Sequence, residues 1–365
     1  MSKGLNLQTV KSKNRSMVLY LLNEHKMLSR KDIARGLSLT PAAVTKICAE
    51  LIAEGYIKEV GEQGGGAGRR EIMLSLRLSD KYVLGINAEK NCVTYSLSSL
   101  DGKLIKSKAE EFCDDASEVI NTSREFLNEC AEYKENIIGA GVCIIGSVVD
   151  DGYAVWKSGN LKTEFRSALG LPVVVENNVK AFAESELIYG DVKDSASMLF
   201  FKWGPGVGSS IVTDGRVFSG NDSGATEIGH YIVKAGGEQC RCGRRGCLET
   251  EASADALYQA VKSKGINISR EKIADCDIDE VNEVITERIN YVAPALMNTA
   301  TILGTNTVVL FGAMFENPKT AEKLKESCAR FSGYVAPALR ISKLNDKRAY
   351  IGATAICAKN LFFEK

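Results

Sequence analysis

The sequence predicts an α/β body of two related lobes, preceded by a small head of three helices and a β-hairpin. Three observations carry this. Apolar residues recur at helix spacing through the first fifty residues, then give way to a strand, a glycine-rich tip and a second strand. Beyond Ser79-Asp80 the pattern changes to β-rich segments followed by helices. The same order then repeats in the second half of the body.

The 365 residues suffice for two or three domains, and 45% hydrophobic with 25% charged residues is ordinary for a globular chain. No apolar run approaches the roughly 20 residues a membrane-spanning helix needs. The opening MSKGLNLQTVKSKNRS is polar and lacks an apolar signal core, so a cytoplasmic protein is expected. Formal net charge is zero, but residues 1–80 hold 13 Lys/Arg against 8 Asp/Glu, and the remainder 33 against 38. A basic head on an acidic body is the pattern of a nucleic-acid contact, although chance asymmetry on a solvated surface gives the same numbers. Eight of the 11 cysteines are scattered, mostly in apolar stretches, and read as reduced core residues.

In the head, residues 1–13 are polar and aperiodic and read as a mobile arm. Helical patterning starts near Asn14, with Met17, Val18, Leu21 and Leu22 on one face, and closes at His25-Lys26. Ser29-Arg30-Lys31-Asp32 is a capping-box-like start for a short helix that buries Ile33, Ala34 and Leu37. Gly36 and Ser38 allow a tight turn. Thr40 then caps a third helix with Pro41 at its first position, where the missing N–H costs nothing. Val44, Ile47, Cys48, Leu51 and Ile52 point inward, and Thr45 and Lys46 outward. From Gly55-Tyr56-Ile57 a strand leads to GEQGGGAGRR, and EIMLSLRL returns. Such a third helix enters a DNA major groove, and Arg69 and Arg70 at the wing tip reach phosphates or the minor groove. Thr40, Pro41, Thr45, Lys46, Arg69 and Arg70 are therefore the candidate DNA-contacting residues. A helical domain for protein contacts is the competing reading of the helices alone. The third helix offers few long polar side chains, which favours shape and phosphate contacts.

In the body, YVLGINAEKNCVTYSLSSLDGKLI reads as strands joined near Leu100-Asp101-Gly102, followed by a helix over Ala116–Lys134 and the strand IIGAGVCIIGSVV. LPVVVENN is a further strand leading into the helix VKAFAESELIYG. SMLFFKWGPGVGSSIVTDGRVFSG is strand, turn, strand.

GVCIIGSVV, PVVVENNVKAFAE, GATEIGHYIV followed by CRCGRRGCLE, and the terminal IGATAICA together resemble the ROK family of repressors, open reading frames and kinases. The resemblance runs over nearly the whole chain, including the winged helix of the repressor branch. It implies an actin-like (RNase H-like) two-lobed ATPase-type body with a sugar cleft between the lobes. The units expected are residues 1–80 for the head, 81–196 for the first lobe with the helix at 349–365 packing back on it, and 197–348 for the second lobe.

Cys240, Cys242 and Cys247 with His230 match a closed tetrahedral zinc site, with Gly243 and Gly246 allowing the knuckle to turn. With no open position the zinc is expected to be structural, pinning the loop that carries Glu227 and Glu249. The other histidine, His25, lies in the head, which leaves His230 as the body's ligand. The resemblance also sets this histidine beside the sugar, and the sequence leaves both roles open.

The resemblance speaks against catalysis. ROK kinases carry a catalytic Asp in Glu-Asn-Asp-Ala; here the stretch is Glu176-Asn177-Asn178-Val179, and an amide accepts no proton. A first phosphate loop of the form Asp-x-Gly-Gly-Thr is matched with Gly85-Ile86-Asn87-Ala88-Glu89, where acid and glycines are missing and Glu89 repels phosphate. The second loop, Gly204–Gly208, keeps its glycines but has Pro205 for Thr, and reads as a strand turn. The adenosine-side glycine pair appears as Phe311-Gly312-Ala313. By the same resemblance Asn177, Asn178, Glu227, His230 and Glu249 match sugar-binding positions, a donor and acceptor set suited to a polyol. Gly146-Ser147 is expected to line the same cleft. Helix capping by Glu249 and loop solvation by Glu227 are the alternatives. The expectation is a non-enzymatic, sugar-responsive DNA-binding regulator, a repressor, acting as a homodimer or homotetramer on an operator. Its rivals are an ATP-dependent sugar kinase with a DNA-binding head, and a ligand-independent regulator whose body only oligomerises.

Overall fold

The computed structural model describes the chain except residues 1–6, 64–70, 147, 150–151, 154–155, 157–159, 193–196, 221–225, 275, 277, 334–335 and 365. The head begins with helix α1 (Leu7–His25). It starts well before Asn14, so Leu7–Lys13 are helix rather than a free arm. The extra turns are anchored on the head itself, where Lys11 and Arg15 meet Glu50 and Glu54 at 2.9 and 2.7 Å. After β1 (Leu28–Ser29), α2 (Arg30–Gly36) is capped by Ser29, whose Oγ accepts from the Asp32 N–H at 3.2 Å. The turn to α3 (Pro41–Ala53) passes through Ser38 in the left-handed region, and the two helices diverge by 119°. Strands β2 (Ile57–Gln63) and β3 (Glu71–Leu76) form the wing. Strand β1 joins β3 in a three-stranded sheet; two residues are too short to show a period in the sequence.

The first lobe contains β4 (Tyr82–Ala88), β5 (Cys92–Ser99), β6 (Leu104–Glu111), α4 (Ala116–Glu129), β7 (Ile137–Ile144), the short pair β8 (Val148–Val149) and β9 (Gly152–Tyr153), α5 (Leu161–Leu169), β10 (Val173–Asn177) and α6 (Asn178–Tyr189). The helix expected to reach Lys134 ends at Glu129 and continues as a 3-10 turn over Ala131–Asn136. The second lobe contains β11 (Ser197–Trp203), β12 (Val207–Thr213), β13 (Arg216–Val217), α7 (Leu248–Ala252), α8 (Ala254–Ser263), α9 (Asp279–Leu303), β14 (Thr307–Phe311), α10 (Pro318–Ala329) and β15 (Ala338–Ile341). Helix α11 (Ile351–Cys357) then continues as a π-helical segment, Ala358–Phe363. No single helix among the described residues is long and apolar enough to cross a membrane.

The two five-stranded sheets have one topology. In order they run β6-β5-β4-β7-β10 and β13-β12-β11-β14-β15. In each, three antiparallel strands are followed by two parallel ones. This is the repeated pattern the sequence shows. Helices α6 and α11 fill the space between the lobes, where Phe182 meets Phe311 at 4.7 Å between ring centroids. Helix α11 lies close on β7, where a Cβ on Gly141 would sit 2.3 Å from the Ala353 carbonyl oxygen.

The head shares a core with the body. Val18, Leu22, Val44 and Leu51 belong to one apolar cluster with Val83, Ile188, Ala355 and Phe362. Tyr20 stacks on Phe363 at 4.8 Å, Tyr56 packs on Phe362 at 4.8 Å, and Asn23 Nδ2 donates to the Ile188 carbonyl at 3.0 Å.

Candidate ligand cleft, metal cluster and nucleic-acid face

The cleft between the lobes is lined by loop tips and helix starts. Helix α6 begins at its floor. Asn177 is the cap: its Oδ1 accepts from the Val179 and Lys180 N–H groups at 2.9 and 3.1 Å, and its Nδ2 donates to the Gly146 carbonyl at 2.8 Å. Asn178 is buried and donates through Nδ2 to the Ala88 carbonyl at 3.3 Å, leaving its Oδ1 as an acceptor at the wall. Glu249, on α7, accepts from the Val207 N–H at 3.2 Å and has Lys90 and Arg241 each at 3.7 Å. It thus ties the second lobe's turn to its helix, which is more than the capping alternative. Glu227 lies beside it, ahead of a 3-10 turn that holds His230. The structure brings Asn177, Asn178, Glu227, His230 and Glu249 together around one cleft, which Gly146 also lines beside Asn177. Ser147 lies outside the described residues.

The phosphate loops differ from their sequence assignment. Gly85–Ala88 is strand, with Asn87 opposite Thr94 in the ladder, and the loop proper is Glu89–Asn91. Its tip points Glu89 and Lys90 into the cleft. Glu89 grips Lys202 of β11 with both carboxylate oxygens at 2.7 Å. Lys90 Nζ donates to the Pro205 carbonyl at 3.0 Å. The second loop is a tight strand turn, closed by the Gly204 N–H on the Gly206 carbonyl at 3.0 Å. The Gly312 N–H is taken by Asn345 Oδ1 at 2.7 Å, and a Cβ at Gly312 would sit 2.4 Å from the Trp203 carbonyl oxygen. The Gly204, Val207 and Gly312 amides are thus taken by the protein's own acceptors.

Lys202 was missed in the sequence, although a lone cation in SMLFFKW is the signal that could have found it. Lys180 and Arg241 also line the cleft. Burial lowers the Lys180 ammonium, against the pull of the Glu176 and Glu227 carboxylates.

The ligating atoms of His230, Cys240, Cys242 and Cys247 all lie within 4.8 Å of one another. Cys240 Sγ is 3.4 Å from His230 Nδ1, and Cys242 Sγ is 3.6 Å from Cys247 Sγ. Ligands at about 2.3 Å on a tetrahedral zinc stand roughly 3.8 Å apart, so the four atoms fit one ion. The Arg244 N–H holds the Cys242 thiol down to about 7, toward the thiolate that binds metal. The knuckle turns at Gly246, where φ is +73° and a Cβ would fall 1.7 Å from the Lys234 carbonyl oxygen. His230 borders the cleft as well as the cluster.

On the head, Thr40, Pro41, Thr45 and Lys46 share the exposed face of α3. Thr40 Oγ1 accepts from the Ala43 N–H at 3.3 Å, and Thr45 Oγ1 donates back to the Pro41 carbonyl at 2.8 Å. Lys46 is thus the long cation of this surface, between small residues. Arg69 and Arg70 lie outside the described residues.

Residues 84–360 match the model of the ROK family, and residues 11–58 match a winged helix-turn-helix DNA-binding model. The DNA-binding transcriptional dual regulator NagC of Escherichia coli (strain K12) is 27% identical over 381 residues, 96% of this chain and 93% of that protein. The xylose repressor of Bacillus subtilis (strain 168) is 23% identical over 323 residues, 84% of each. A solved ROK family transcriptional regulator, a homolog of the E. coli MLC protein, matches at TM-score 0.83 and 24% identity over 97% of both chains. A ROK hexokinase from Thermus thermophilus matches at TM-score 0.63 and 22% identity over 75% of this chain and 97% of its own. Both structural likenesses are of fold.

Proposed function

We propose, from the premise that this chain belongs to the ROK family, that it is a sugar-responsive DNA-binding transcription regulator and acts as a repressor. The head supplies the operator contacts through Thr40, Pro41, Thr45 and Lys46, with Arg69 and Arg70 on the wing. The body binds a sugar or sugar derivative through Asn177, Asn178, Glu227, His230 and Glu249 and does not phosphorylate it. One observation carries the reading: the sugar-facing set is assembled, while the phosphate side is closed by Glu89, Lys90, Lys202 and Pro205. The relatives' names support it, since one is a DNA-binding transcriptional dual regulator and another a xylose repressor.

His230, Cys240, Cys242 and Cys247 hold a structural zinc in this reading, which fixes the knuckle next to Glu249. The protein works in the cytoplasm as a homodimer or homotetramer, because two heads on two half-sites are what an operator of this type requires. Its units are 1–80, 81–196 with 349–365, and 197–348.

Structural likeness to a hexokinase keeps the kinase reading as the rival. A thermal-shift screen of monosaccharides, amino sugars and their derivatives, with ATP as a control and ADP release followed in parallel, separates the two. Stabilisation by a sugar, none by MgATP and no ADP release are expected. Stabilisation by MgATP alone, or turnover with any hexose, overturns the reading.

A further inference from the structure

We propose that the turn between β4 and β5, Glu89-Lys90-Asn91, is an interlobe latch: it holds the two lobes in one arrangement through the chain's own side chains, and a sugar in the cleft works against it. The second clause rests on the sugar-sensing reading above and names how the same cleft is regulated.

Three consecutive residues of this turn reach three separate parts of the second lobe. Glu89 holds Lys202 of β11 with both carboxylate oxygens at 2.7 Å. Lys90 Nζ donates to the Pro205 carbonyl at 3.0 Å. Asn91 Oδ1 accepts from the Arg270 guanidinium at 3.2 Å, and Arg270 is steadied by Asp255 at 3.4 Å and by the Tyr258 ring at 5.3 Å. The turn itself is stiff. The Glu89 N–H donates to the Cys92 carbonyl at 2.9 Å and the Phe112 N–H to the Asn91 carbonyl at 3.1 Å. The ladder starts beside it, with Ala88 opposite Val93. A rotation of one lobe against the other is therefore not absorbed by the turn and has to break these contacts together.

The contacts differ in weight. Lys202 is only 8% exposed, with Nζ 5.5 Å from the centre of the Phe182 ring. A cation so placed needs an anion in contact. Among the described residues that anion is Glu89, and it comes from the other lobe. Separating the lobes here strands a buried charge. The Asn91–Arg270 bond lies at the surface and exchanges for water at little cost. The latch thus has one strong member and two that fix its register.

Its base adjoins the sugar-facing residues. Asn178 Nδ2 is engaged on the Ala88 carbonyl, next to Glu89. Glu249 lies 3.7 Å from Lys90 and accepts from the Val207 N–H, two residues past Pro205. Sugar hydroxyls bonding Asn178 and Glu249 compete for polar atoms that the latch engages, so binding favours its release. Losing the latch then raises sugar affinity. A repressor that its sugar removes from DNA binds the operator in the latched arrangement.

Glu89→Gln/Lys202→Met takes both charges away together and leaves neither unpaired in the interior. Asn91→Ala, at the surface, keeps the proposal testable should the double variant fail to fold. Three measurements on the full chain read the outcome. Hydrogen exchange of the β11–β12 turn should be about tenfold faster in the double variant and about twofold faster in Asn91→Ala, with that of α9 unmoved. Isothermal titration uses glucose, N-acetylglucosamine, xylose and their phosphates. The sugar that binds the parent should bind the double variant about fivefold more tightly and Asn91→Ala about twofold. Affinity for a duplex selected from a random pool, measured without sugar, should fall by about the same factors. Unchanged exchange in the folded variants overturns the proposal, as do sugar and DNA affinities that stay fixed or move together. Failure of every sugar to bind overturns the sugar-sensing reading and the second clause, and exchange with DNA affinity then decides the latch alone.

Discussion

Burial raises the Glu186 carboxyl of α6 to about 7, with Asp191 adding repulsion, although the Ser342 hydroxyl donates to it across the lobe boundary. The folded protein therefore holds a proton that the unfolded chain has already lost between about pH 4.5 and 7. Stability falls as pH rises through that window, by about 3 kcal/mol for this group. Glu186→Gln keeps the hydrogen bond and removes the charge, so its melting temperature should exceed that of the parent at pH 8 and match it near pH 4.5. A melting curve that shows no such convergence contradicts the assignment. The metal cluster gives a second test at this scale. Purified protein should carry about one zinc per chain by elemental analysis, and Cys242→Ser should lose it and melt at a lower temperature. These two residues differ in legibility. The cysteine spacing marks the knuckle directly, because three thiols and a histidine converge through a short glycine-containing loop. Glu186 is one of two acids in the helix VKAFAESELIYG, and only the packing around that helix shows that it is buried.

At the scale of elements, α6 joins the cleft to the head. Its cap, Asn177, and first residue, Asn178, line the cleft, and its last turn accepts the hydrogen bond from Asn23 of α1. The C-terminal segment reinforces the same junction through Phe362 and Phe363. A ligand that moves the start of α6 therefore acts on α1 through a rigid, packed element. Asn23→Ala should leave sugar affinity within about twofold while reducing the effect of sugar on DNA affinity, read by titrating both ligands on one preparation. Phe363→Ala should cost about 3–5 kcal/mol and lower a melting transition shared by head and body. Separate, unshifted melting of the head would contradict the common core. The start of α6 and both caps of the head's helices were readable, since Ser29, Thr40 and Pro41 act locally. The docking of the head was not, because Tyr20 and Phe363 are distant in sequence and nothing in one chain's pattern pairs them. For the same reason the early start of α1 was missed: Lys11 and Arg15 are held by Glu50 and Glu54, which periodicity does not register.

Across the whole molecule, the duplicated sheet order was legible as a repeated alternation of strands and helices. The closure of the phosphate side was legible only as lost glycines and a lost acid. What fills the space, the Glu89–Lys202 pair and the Lys90–Pro205 contact, depends on two turns from opposite lobes meeting across the cleft. That pair gives the lobes a direct link, and a shared apolar core joins the body to the head. A ligand shifts an equilibrium between two arrangements only by its differential affinity for them. The most direct test is the DNA affinity of the full chain for a duplex selected from a random pool, measured by fluorescence anisotropy at fixed salt with and without the sugar that binds in the titration panel. The account predicts a loss of affinity of at least about tenfold on saturation, a coupling of roughly 1.4 kcal/mol. Saturating sugar that leaves the anisotropy curve unmoved would contradict it.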